Sequence, residues 1–135
     1  MRLNQQTLDM LRPVQTGGCR ALHAAHRRLT MDAVVNDGRA TVTLRGGLDI
    51  ATAPDVEEWA TLILRGRSID HLTFDMADVS IVDSAGLAAL VRISQRAHAA
   101  DCTIALANVR SLVRRVLDVT GLADVLNVQD DLPPR

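Results

Sequence analysis

Polar and apolar positions alternate cleanly over residues 39–45. Ala40, Val42 and Leu44 fall on one side, and Arg39, Thr41, Thr43 and Arg45 on the other. A period of two is the mark of a strand with one buried face. Leu29–Val35 is a second β-rich run, and Asn36-Asp37-Gly38 between the two is a hairpin turn signal. At Thr52 the period changes. Val56, Trp59, Ala60, Ile63 and Leu64 follow at i, i+3, i+4, i+7 and i+8, an amphipathic helix facing a core. Thr52 reads as its N-cap, Pro54 sits in its first turn, Asp55 lies near its positive end, and Gly66 closes it.

His71–Phe74 is then a short buried strand, followed by an acidic loop carrying Asp75, Asp78 and Asp83. A helix is expected from Ser84 to Ala100, burying Leu87, Leu90, Val91 and Ala97. Thr103–Ala107 is an apolar strand. Val109, Leu112, Val113, Val116, Leu117 and Thr120 mark one face of a third helix that ends at Gly121. Val125–Val128 reads as a last strand. The order β-β-α-β-α-β-α-β predicts an α/β fold: a mixed, mostly parallel sheet of about five strands, packed with three or more helices. Functional loops in such sheets gather at the carboxyl ends of strands. The loops holding Asp49 and Asp83-Ser84 both leave such ends.

Residues 1–28 lack this regularity. Leu3, Leu8 and Leu11 fit one side of a short helix ending before Pro13, and Gly17-Gly18 interrupts. Arg20, His23, His26, Arg27 and Arg28 form a basic cluster, expected to lie on a solvated arm. The division expected is an N-terminal extension over 1–28, one domain over 29–128 and a short tail over 129–135.

Composition narrows the chemistry. With 135 residues the chain fits one domain. One Trp, one Phe and no Tyr leave no stacking platform for single-stranded nucleic acid, and a net charge of −1 gives no electrostatic footprint for a duplex. Every basic residue is Arg, so there is no P-loop lysine and no Schiff base. Cys19 and Cys102 make no disulfide framework; a reducing cytoplasm fits best. No apolar run nears the roughly 18 residues of a membrane span, and no secretory signal opens the chain.

Ser84 is the residue that chemistry singles out. At a helix start it can cap, and it can also carry a phosphate, which the N-terminal N–H groups and helix dipole favour. The two roles are compatible. Other chemistries fit less well. A receiver-type phosphoaspartate at Asp75 needs a lysine. Acyl transfer through Ser84 needs a Gly-x-Ser-x-Gly elbow and a nearby base, whereas the run is Val82-Asp83-Ser84-Ala85-Gly86 and His98 lies about four turns along the same helix. Asp75, Asp78 and Asp83 lack the spacing of a calcium loop, and His23 with His26 lacks a third metal ligand. No metal and no cofactor is expected.

Gly47-Leu48-Asp49 with Thr52, the run from Phe74 to Leu87 containing Asp83-Ser84-Ala85-Gly86, and Val119-Thr120-Gly121-Leu122 together resemble the STAS domain. This is the domain of bacterial anti-sigma factor antagonists and of sulphate-transporter tails. The resemblance covers about residues 29–128. It implies a non-enzymatic antagonist that binds an anti-sigma factor, a serine kinase of the GHKL type, and so frees a sigma factor. It also implies that the kinase phosphorylates Ser84 and ends the complex, and that a serine phosphatase resets the cycle. Asp49, Thr52, Asp83, Ser84, Ala85 and Gly86 are the partner-binding residues it implies, on a monomer or weak dimer. STAS-like chains also serve as structural subunits of stress-signalling or lipid-transport complexes, and that is the alternative. Members of this type usually end in a further helix, which the closing Leu132-Pro133-Pro134-Arg135 does not continue. The N-terminal arm is expected to pack in its place through Leu3, Leu8 and Leu11.

Overall fold

A computed structural model describes residues 12–16, 19–66 and 69–129. The alternating residues form strands, as read. They are part of one seven-stranded sheet whose spatial order is the chain order: β1 (Arg12–Thr16), β2 (Cys19–His26), β3 (Leu29–Asn36), β4 (Arg39–Leu48), β5 (His71–Val82), β6 (Thr103–Ala107) and β7 (Val128–Gln129). The helices are α1 (Ala53–Gly66), α2 (Ser84–Ala99), α3 (Ser111–Thr120) and the single turn α4 (Leu122–Val125). The α/β class and the mixed sheet stand. The first three strand pairings are antiparallel and the last three parallel, so the sheet is evenly mixed rather than mostly parallel. The β3–β4 hairpin closes at Asp37-Gly38, both at positive φ.

Residues 19–26 are the main departure from the expected arm. They pair with β3 along their length, from Arg20 opposite Val35 to His26 opposite Leu29. Ala24 is fully buried and Leu22 packs against the core. Periodicity misses this strand because Leu22 and Ala24 alone give it an apolar face, set among the conspicuous His23 and His26. The helix drawn through Leu3, Leu8 and Leu11, its proposed packing, and most of the tail lie outside the described residues.

A second departure concerns the acidic loop, which is strand. β5 continues through Asp75 and Asp78 to Val82. Two register irregularities against β4, between Thr43 and Arg45 and between Gly46 and Gly47, break the alternation. Phe74, Met76, Val79 and Val82 therefore enter the core at spacings of two, three and three. Such irregularities re-aim side chains locally, and a strict period of two loses the strand after Met76.

One core holds these layers together. Trp59 of α1, Phe74 of β5, Leu90 and Ile93 of α2 and Leu106 of β6 are almost completely buried within it. α2 lies on β5 and β6 and packs along α1, where Arg92 donates both Nε and Nη2 to the Glu57 carboxylate at 2.6 and 3.0 Å. The buried stripe of α2 is Gly86, Ala89, Leu90, Ile93 and Ala97, while Leu87 and Val91 are half-buried. In α3 only Val113 and Leu117 are buried; Leu112 and Val119 are exposed. The expected last strand begins later, because residues 122–125 turn once more as α4. No helix among the described residues is long and apolar enough to cross a membrane.

Candidate functional site

The parallel pairing of β4 with β5 places Leu48 opposite Val82, so the two chain segments that follow these strands emerge side by side. Asp83 N–H donates to the Leu48 carbonyl at 3.2 Å. This brings Asp49 and Ser84 into one site, although 34 residues separate them in sequence.

The Asp49 loop is a capping box of unusual composition. Asp49 Oδ1 accepts from the N–H of Ala51 at 2.9 Å and of Thr52 at 3.1 Å. Thr52 Oγ1 reaches back to accept from Asp49 N–H at 2.9 Å and donates to the Gly47 carbonyl at 2.8 Å. The Asp-x-x-Thr pair thus satisfies donors reciprocally at the start of α1. Thr52 does not cap by itself, as the sequence reading had it; the carboxylate three residues earlier does. Asp49 is 8% exposed. Burial by itself would raise its carboxyl pKa, but the two N–H donors, the Arg28 guanidinium and the Thr52 hydroxyl outweigh it and hold the pKa below 3.8, the ordinary carboxylate value. Arg28 Nη2 lies 3.3 Å from Asp49 Oδ2.

Arg28 belongs to the β2–β3 turn, which no local pattern places here. Its carbonyl accepts from Gly47 N–H at 3.1 Å. Gly46 makes that approach possible: at φ +123° its absent Cβ would fall 2.1 Å from the Arg28 oxygen.

The helix bearing Ser84 is capped by Asp83. Asp83 is extended (φ −94°, ψ −175°), and its Oδ1 accepts from Gly86 N–H at 2.9 Å. Ser84 is the first helical residue, so the cap role expected of its hydroxyl falls one residue earlier, because a carboxylate in extended backbone already occupies the N–H that the hydroxyl would have used. Ser84 is exposed, and its side chain has no hydrogen-bond partner among the described residues. Ala85 is half-buried. Gly86 is buried, and a Cβ there would stand 2.3 Å from the Leu48 carbonyl oxygen. Its lack of a side chain thus serves the chain's own packing. Gly86 and Thr52, which is fully buried, build the surface from beneath.

Beside Ser84 stands a residue that pattern reading passed over. Ile50 is 77% exposed, and its N–H donates to Asp83 Oδ2 at 3.2 Å. Ile81, 54% exposed, lies against Gly47. An apolar side chain at the tip of a polar turn was the only signal, and a weak one.

No imidazole is hydrogen-bonded to Ser84 among the described residues. His23 is bonded to Asp32 at 2.6 Å, and His26 lies 3.9 Å from Asp55. His71 opens β5 at the end remote from Ser84, and His98 lies near the far end of α2. Asp75 accepts from Ala77 N–H and Asn108 Nδ2, and Asp78 lies 3.4 Å from Arg45. No group of three candidate metal ligands occurs among the described residues.

Comparison with known proteins agrees with this geometry. The profile of the STAS domain matches residues 30–133. An anti-sigma-B factor antagonist of Staphylococcus epidermidis is 28% identical over 102 residues, covering 76% of this chain and 94% of that protein. Its counterpart in Staphylococcus aureus is 26% identical over the same length. Among solved structures, an anti-sigma factor antagonist from Mycobacterium paratuberculosis has a TM-score of 0.69 at 24% identity, covering 80% of this chain and 91% of its own. The unphosphorylated form of the antagonist SpoIIAA has a TM-score of 0.64 at 17% identity, covering 74% and 88%. At these identities the two structures establish the shared fold.

Proposed function

The chain belongs to the STAS domain family, and on that premise we propose that it is an anti-sigma factor antagonist, a binding protein and not an enzyme. It binds an anti-sigma factor that is a GHKL-type serine kinase, and this frees a sigma factor in the cytoplasm. The observation that carries the reading is the exposed Ser84 hydroxyl, without a hydrogen-bond partner among the described residues, at the first turn of α2 and flanked by two carboxylates already committed to backbone N–H groups. An exposed hydroxyl at a helix start is open to phosphorylation. Its oxygen attacks the γ-phosphorus of ATP, its proton passes to a base of the kinase, and ADP leaves. The names of the relatives support the same role.

Phosphate would add about −1.5 to −2 charges at pH 7. Two carboxylates, Asp83 and Asp49, already border the site, so the surface becomes much more negative while Asp83 goes on holding the helix. A kinase matched to the unphosphorylated surface then releases it. Asp49, Asp83, Ser84 and Ala85 would border the partner directly, supported by Thr52 and Gly86. A serine phosphatase would restore the binding form.

The test uses a purified anti-sigma serine kinase of the same organism with ATP. Intact mass should rise by one phosphoryl group, and Ser84→Ala should abolish the gain. Ser84→Ala should retain kinase binding, and Ser84→Asp should weaken it at least tenfold. Phosphate found on another residue, or equal binding by the Ala and Asp variants, would remove Ser84 as the switch.

A further inference from the structure

Every backbone N–H from Asp49 to Ala53 is donated. Those of Asp49, Ala51, Thr52 and Ala53 stay within the loop, on Thr52 Oγ1 and Asp49. Only that of Ile50 leaves it, to Asp83 Oδ2. The same carboxylate holds the start of α2 through Oδ1. One side chain therefore fixes two segments: the loop that displays Ile50 and the helix that displays Ser84. Ile50 is the most exposed large apolar residue of this face, at 77%, on a backbone with no free donor. Such a residue enters a partner's pocket with little ordering left to lose, and apolar anchors of this kind dominate interfaces.

We propose that Asp83 is a positioning residue that sets Ile50 at a fixed place beside Ser84, and that Ile50 is the apolar anchor of the partner surface. The partner implied is a protein with an apolar socket next to the centre that receives the Ser84 hydroxyl. The proposal rests on the function argued above and adds to it which side chain anchors the partner and which one sets that anchor in place.

Asp83→Asn separates the two halves of the clamp. Asn is as good a cap as Asp, so its oxygen can keep Gly86 N–H while its NH2 group offers Ile50 N–H no acceptor. Asp83→Ser is the second variant, since a serine caps but is too short to hold both segments. Amide hydrogen exchange on the full chain should show Ile50 exchanging at least tenfold faster in both variants, with Gly86 and the β5 amides unchanged. With the purified anti-sigma kinase as probe, Asp83→Asn and Ile50→Ala should each weaken binding about tenfold or more. The double variant should be no weaker than the worse single one, because both remove the same anchor. Unchanged Ile50 exchange in both variants overturns the clamp. Additive losses overturn the assignment of Asp83 as a residue acting through Ile50, and full binding by Ile50→Ala overturns the anchor. If the wild-type chain binds no such kinase, the proposed function fails, and the exchange result still decides the clamp.

Discussion

Asp49 carries a charge at a site with little water around it, and the donors that compensate it are the ones that shape the loop. The two features make a pH prediction. Its folded pKa lies below 3.8, the unfolded reference. Its contribution to stability is therefore fully present above that reference and is lost as pH falls through the lower folded value. Asp49→Asn should lower the thermal midpoint at pH 7, and the difference from wild type should shrink as the pH drops below about 4. Melting curves at pH 7 and pH 3 decide this; a difference independent of pH would mean that the charge is not what Asp49 contributes. At this scale the sequence showed which residues matter but not their assignments. Ser84, Asp83 and Asp49 were legible as chemistry at strand ends. That Asp83 and not Ser84 caps, and that Thr52 serves Asp49, depends on backbone angles that one-dimensional spacing does not fix.

Among the elements, α3 shows how far an apolar pattern exceeds actual burial. The face expected for it holds Leu112, Val113, Val116, Leu117 and Thr120 within the helix, yet the core takes only Val113 and Leu117. A periodicity states which residues share a side, while the neighbouring elements decide how much of that side is covered. Leu117→Ala should cost about 2–5 kcal/mol, the usual range for a fully buried leucine. Leu112→Ser should stay within about 0.5 kcal/mol, as an exposed change does. Urea unfolding of the two variants measures both. Equal losses would mean that the face is buried as a whole. β5 errs in the other direction: its second half was read as loop because two register irregularities replace alternation by a spacing of three.

For the whole molecule, β2 carries the fold ahead of residue 29, with β1 paired to it in turn. It pairs along β3 and buries Ala24, so residues 19–28 are structural and not appended. Removing residues 1–28 should lower the melting temperature by at least about 10 °C, the shift that a loss of roughly 2–3 kcal/mol causes in a domain near 100 residues. An unchanged midpoint would count against any contribution from β2. The Arg28 contacts to Gly47 and Asp49 lead the same way: the turn that ends β2 buttresses the loop that shapes the site.

By itself the sequence determined what neighbours in the chain can settle. It located the Asn36-Asp37-Gly38 turn, the start and apolar stripe of α1, the strand Thr103–Ala107 and a helix opening at Ser84, because turns, caps and periodicities act over a few residues. Only the tertiary structure decided what depends on residues brought together from afar. The parallel register of β4 and β5 sets Leu48 beside Val82. From that single alignment follow the need for glycine at position 86, the meeting of Ile50 with Asp83 and the joining of the Asp49 and Ser84 loops. Their partners lie more than thirty residues away, and no local pattern records which strand ends will meet.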